Sequence, residues 1–273
     1  MKTREAIKVD WNNTKSIFIM VFFILNIFLL YQFLEKINDY TYENITESTT
    51  EELLKEDEIT IAVPLPKQKV KDQFLIANSK NFEKKDLQYL KNQKAKIIDD
   101  KNLVGTFKTP VSMNDKIQAA DVEIFLKEYI LNGNDYRFWS YDEINQTIIC
   151  YQVADKKMFY NNSKGKVTLY LNKKGEIVSY EQMYLEGIEK FNKPKELESA
   201  LNAIGALYNH GDIDPKSKVT NVQLGFYNSL QTTSVSHLLV PTWWVVLDDE
   251  TDLFVNAFDG EVIELNTEEK ILE

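Results

Sequence analysis

From Ile17 to Leu34 the chain reads IFIMVFFILNIFLLYQFL, an uncharged run whose strongly polar members are Asn26 and Gln32. As a helix rising 1.5 Å per residue, the run reaches about 27 Å, close to the hydrocarbon thickness of a bilayer. A buried core helix of a soluble domain would carry a polar stripe, and this run has none. A cleaved signal peptide would have a shorter apolar region followed by small residues in an A-x-A pattern. Here Tyr31-Gln32-Phe33-Leu34-Glu35-Lys36 closes the run. The expectation is an uncleaved transmembrane helix over residues 16–34.

Flanking charge sets the orientation. Lys2, Arg4, Lys8 and Lys15 precede the run, whereas Lys36 is the one base among Glu35, Asp39 and Glu43 beyond it. The positive-inside rule then places a cytoplasmic tail at 1–15 and the rest of a single-pass cell-membrane protein outside, with the lipid bilayer as a partner. A tail of this length is too short to fold, so a signal crossing the membrane would pass through helix contacts. The whole chain has a net charge of −10. Residues 1–34 are slightly basic, so the outer part is more acidic than the total, which argues against a nucleic-acid partner. The whole chain, at 44% hydrophobic and 27% charged residues, has globular rather than disordered composition.

Two readings fit Asn26. It is either a tolerated polar residue satisfied by its own backbone, or a hydrogen-bonding contact to a partner helix, with Gln32 as a second marker of that contact. The acidic stretch 35–58 is a juxtamembrane linker, either helical or a solvated spacer. Within it, Asn44-Ile45-Thr46 matches the glycosylation pattern.

The remainder alternates helices with runs of strands. Ile59–Leu65 reads as an edge or entry strand, Lys84–Asn92 as a short helix and Leu103–Lys108 as a strand. After Asn114 or Asp115 as N-cap, Val122, Phe125, Leu126, Tyr129 and Ile130 form one helical face that ends at Asn132-Gly133. Strand-like runs follow through Tyr184, separated by turn residues. The pattern then recurs. Pro194 opens a helix carrying Leu197, Leu201, Ile204 and Tyr208, which ends at His210-Gly211 and leads into strands through Leu265. The text LYLNKKGEIV at 169–178 matches LFVNAFDGEVI at 253–263 with one residue inserted. The reading is α+β, with two helix-plus-antiparallel-meander units at 59–190 and 191–273.

Reactive groups are few. One cysteine, Cys150, excludes an intramolecular disulfide and a multi-cysteine zinc site. It lies in an apolar run, where a small buried hydrophobe is the default. His210 reads as a helix cap. His237, in Ser234-Val235-Ser236-His237, has no G-x-S-x-G or S-x-x-K motif to support a Ser-His pair. The acidic runs at 212–214 and 248–252 lack calcium-loop spacing, and no phosphate-cradling glycine pattern is present. The expectation is therefore no catalytic residue, no metal and no cofactor. In Pro241-Thr242-Trp243-Trp244-Val245, adjacent tryptophans of a strand face opposite ways, so one is core and the other faces solvent, a partner or further protein. Trp243 and Trp244 thus join Asn26 and Gln32 as candidate partner contacts.

The opening Asp10-Trp11-Asn12-Asn13-Thr14-Lys15-Ser16-Ile17-Phe18-Ile19, running into Leu25-Asn26-Ile27-Phe28-Leu29-Leu30-Tyr31-Gln32-Phe33, resembles the start of YycI proteins of Gram-positive bacteria. PTWWVVLDD at 241–249 and NAFDGEVIEL at 256–265 also resemble that family and, more loosely, the ending of PepSY-like domains. The tail has a few more residues before Asp10 than the family pattern. The resemblance implies a non-catalytic regulator of the cell-wall two-component system. Its partners would be a sensor histidine kinase of the YycG/WalK type and a YycH-type accessory protein, met partly through transmembrane helices. The alternatives are an anchored extracellular binding module for a peptide or cell-wall ligand, and an envelope hydrolase built on His237.

Overall fold

The computed structural model describes residues 11–39, 47–66, 68–113, 116–228 and 236–264. The chain divides into two compact units, Met1–Thr49 and Thr50–Glu273. In the first, helix α1 (Trp11–Asp39) contains the apolar run and continues past it. Its described side chains are Lys15, Ser16 and those from Phe18 to Phe33, and the large apolar ones are all exposed, from 48% at Leu25 to 71% at Phe18. Among the described residues no helix is long and apolar enough to cross a membrane; Ile17 and Leu34, the ends of the run, lie outside the described side chains.

The second unit begins within helix α2 (Glu47–Glu56), followed by β1 (Thr60–Ile61), β2 (Lys71–Ser79), β3 (Gln93–Ile98) and β4 (Asn102–Ser112). Helix α3 (Ala119–Tyr129) precedes β5 (Tyr136–Asp142), β6 (Thr147–Ala154), β7 (Lys157–Tyr160), β8 (Lys166–Leu171), β9 (Glu176–Gln182) and β10 (Leu185–Glu196). Helix α4 (Ala200–His210) then leads to β11 (Lys218–Asn228), β12 (Ser236–Leu247), β13 (Asp252–Asn256) and β14 (Val262–Ile263). The strands join along β10-β2-β12-β11-β7-β6-β8-β9-β4-β3, with β1, β5, β13 and β14 attached beside that path. The fold is mixed α+β, with antiparallel pairing throughout except at β1–β11 and β7–β11.

Each of α3 and α4 covers a stretch of this sheet. Val122, Phe125 and Leu126 of α3 pack with Phe107, Ile148, Val167, Leu169, Ile177 and Tyr180. Leu201, Ile204 and Leu207 of α4 pack with Trp243, Val245, Leu247 and Val255, and Leu54 of α2 joins that core. The matching texts make matching turns. Gly175 and Gly260 both take φ +74°, a left-handed conformation that glycine adopts without steric cost. Asn172 Oδ1 accepts from Lys174 N–H in one turn, and Asn256 Oδ1 accepts from Phe258 N–H in the other.

Several sequence expectations are corrected. Pro194 does not open a helix; it lies in β10, at a register irregularity between Phe191 and Lys195 on the sheet's terminal strand. An edge strand with an irregular ladder tolerates the missing N–H. Ser199 caps α4 instead, its Oγ accepting from Asn202 N–H. Helix α3 starts at Ala119 with Gln118 as N-cap; Asn114 and Asp115 lie outside the described residues. Lys84–Asn92 contains only a 3-10 turn, Asp86–Tyr89, and β2, β3 and β10 are strands with no counterpart in the sequence reading. The 190/191 boundary consequently falls inside β10.

Candidate functional site

Trp243 and Trp244 point to opposite sides of β12, as pleating requires. Trp243 is 2% exposed beneath α4, and its indole N–H donates to the carbonyl of Glu198 at 2.9 Å. That burial removes Trp243 from the contact surface. Trp244 is half-buried on the other face, its indole N–H donating to Asp252 Oδ1 at 2.7 Å. Burial raises the Asp252 carboxyl above the usual range, opposed by that indole hydrogen bond.

A shelf of rings surrounds Trp244. Its centroid lies 4.6 Å from that of Trp139 and 5.5 Å from that of Tyr160. Phe254 stands 5.5 Å from Tyr160 and 6.1 Å from Tyr227. The parallel pairing of β7 with β11 brings Tyr160 beside Tyr227, and β5 carries Trp139 to the same place from the α3-covered part of the sheet. Trp244 therefore meets protein over much of its surface. Its neighbour Trp139 comes from Tyr136-Arg137-Phe138-Trp139, whose aromatic content was visible in the sequence although its destination was not.

The other candidates sit apart. Asn26 donates one side-chain N–H back to the carbonyl of Phe22 at 2.8 Å, one turn earlier, which uses one of the two donors of its amide. Gln32 is exposed on the same helix. His210 ends α4 beside Gly211 and pairs through Nδ1 with Asp212 Oδ2 at 2.8 Å. His237 is buried, sharing a 2.8 Å hydrogen bond between Nε2 and Ser79 Oγ. At 2% and 8% exposure neither group of that pair is open to a substrate. Cys150 is fully buried, and burial, then the charge of Glu123, pushes its thiol pKa far up, which leaves it protonated and inert. The acidic run at 248–252 is committed: Asp248 accepts from the N–H of Lys218 at the start of β11, and Asp249 from Thr251 N–H in its own turn. Among the described residues no group of three metal ligands is present. Asn44–Thr46, the glycosylation pattern, lies outside the described residues.

Comparison with known proteins settles the class. The sequence model of the YycI protein family matches residues 38–258. The chain belongs to the YycI family. Members of the YycI family are accessory proteins of the YycG/YycF regulatory system and are not known as enzymes. Solved structures similar to this YycI-family chain include an uncharacterised protein from Eubacterium rectale, 8% identical with a TM-score of 0.45, covering 77% of this chain and 92% of that one. Another is YycH from Bacillus subtilis, 13% identical with a TM-score of 0.39, covering 73% of this chain and 52% of that one. A third is the C-terminal domain of YpeB from Bacillus megaterium, 12% identical with a TM-score of 0.38, covering 81% and 98%. No curated protein matches the chain in sequence.

Proposed function

We propose that this YycI-family chain is a single-pass membrane regulator that modulates a YycG-type sensor histidine kinase by contact. Its N-terminal tail is cytoplasmic, its α+β domain is extracellular, and a YycH-type protein acts with it. Family membership carries the system to which it belongs. The observation that carries the mode of action is α1, a 29-residue helix whose described apolar side chains are exposed on all sides. Water is a poor solvent for such a surface: each fully buried large apolar side chain is worth about 1.5–3 kcal/mol. Lipid and partner helices cover it instead. Within the bilayer, packing and hydrogen bonding choose the partner, because lipid is as apolar as leucine. Of the two polar side chains in the run, Asn26 marks the face that meets the kinase helix; Gln32, six residues on, lies about 120° further around the helix, on a second side.

The test replaces residues 17–34 with a poly-leucine span, with expression and topology verified. Loss of kinase modulation and of co-purification is the expected result. Unchanged kinase output and co-purification would overturn the helix-contact mechanism while leaving family membership intact.

A further inference from the structure

The sheet has a narrow waist. Among the described residues, β2 and β10 form a two-stranded arm whose ladder joins the rest through four residues of β12, with Ser236, His237, Leu238 and Leu239 opposite Asn78, Ala77, Ile76 and Leu75. At this waist His237 is 2% exposed. Its Nε2 meets Ser79 Oγ at 2.8 Å, and among the described residues its Nδ1 has no hydrogen-bond partner. The charges that act on the ring are cations: Lys164, from the 3-10 turn Ser163–Gly165, and Lys101, from the turn between β3 and β4. β2 presents the Ser79 hydroxyl to it. Glu186 of β10 pairs opposite Asn78, on the other face of the sheet from His237, and is taken by Lys80 at 3.2 Å.

We propose that His237 is an acid-sensitive latch on this waist, whose protonation loosens the β2–β12 seam. A neutral imidazole fits the site with one hydrogen bond. An imidazolium carries two N–H donors, and here one would point at no acceptor in a buried place already under the field of two lysines. An opened seam hydrates the ring and removes both costs. Burial, then Lys164 and Lys101, hold the closed-state pKa below the ordinary histidine value. The opened state takes its proton near that value, about 6.5, and the closed state only at lower pH. The seam is therefore at full strength above about 6.5 and weakens as pH falls through the interval beneath it. For a domain facing the outside of a cell, that interval is one the surroundings can reach.

Hydrogen exchange on the full chain in detergent tests this at about pH 7 and about pH 5, corrected for the intrinsic pH dependence of exchange. Acidification is expected to accelerate the amides of residues 75–78 and 236–239 that bond across the seam by about tenfold, with β8 and β9 unchanged, and His237→Gln to abolish the acceleration. Equal protection at both pH values, or the same acceleration in His237→Gln, would overturn the proposal. NMR titration of the unaltered chain needs no variant, since it holds only two histidines. The His237 ring is expected to titrate below about 6.5, and titration at or above that value would likewise overturn the latch.

Discussion

Gly225 has no room for a methyl group. A Cβ there would lie 2.3 Å from Cε2 of Tyr160 and 2.6 Å from the carbonyl oxygen of Met158, backbone that cannot yield as a side-chain tip can. Gly225→Ala is expected to cost about 1–3 kcal/mol in denaturant unfolding, as overpacking does. Gly260 is glycine for another reason: its φ is +74° with nothing near, so Gly260→Ala is expected to cost about 1–2 kcal/mol from backbone strain alone. Cys150, the single thiol, supplies a readout. It is expected to resist a thiol reagent in the native chain and to react as denaturant unfolds it, and rapid native labelling would contradict its burial. Much of this scale was legible in the sequence. Period-two alternation separated Trp243 from Trp244, and an apolar run placed Cys150 inside. The Tyr160–Gly225 approach was not legible, because it depends on β7 pairing in parallel with a strand far along the chain.

Among the elements, β10 shows what local pattern misses. Its residues alternate charges and carry Pro194, a text with little strand character, yet it pairs with β2 along its length. Side chains help hold it. Gln152 of β6 uses both ends of its amide on Leu185 of β10, its N–H donating to the Leu185 carbonyl at 2.7 Å and its oxygen accepting from the Leu185 N–H at 2.8 Å. Lys157 of β7 forms an ion pair with Asp72 of β2. Gln152→Leu orphans a buried donor and a buried acceptor, and about 1–3 kcal/mol of destabilisation is expected for each. A cost within a few tenths of a kcal/mol of zero would show that water replaces the amide. Helix α4 was the opposite case. Its apolar face and its end at Gly211, in the left-handed region with φ +92°, were visible locally, and only its start was misread. Proline at 194 suggested a first helical turn, whereas the Ser199 hydroxyl makes the cap. The hairpins at 172–176 and 256–261 were legible because asparagine and glycine state their turn geometry directly.

For the molecule as a whole, the charge divides with the architecture. The chain totals −10, with a slightly basic end before and within the apolar run and acid beyond it, the asymmetry that orients a single-pass protein. Among the described residues the pieces that would do chemistry are buried or committed: His237 to Ser79, His210 to Asp212, Asp252 to Trp244. The mode of action proposed above is contact between surfaces. On this account, removal of the α1 contact face alone abolishes regulation with the outer domain still folded. The most direct measurement is site-specific crosslinking in cells, with a photoreactive residue placed in turn at each position around Asn26. The account predicts crosslinks to the kinase's transmembrane helix from one stripe only, Asn26 and the positions three and four residues away on its face. Crosslinks of equal yield from every side of α1, or none to the kinase from any, would contradict it.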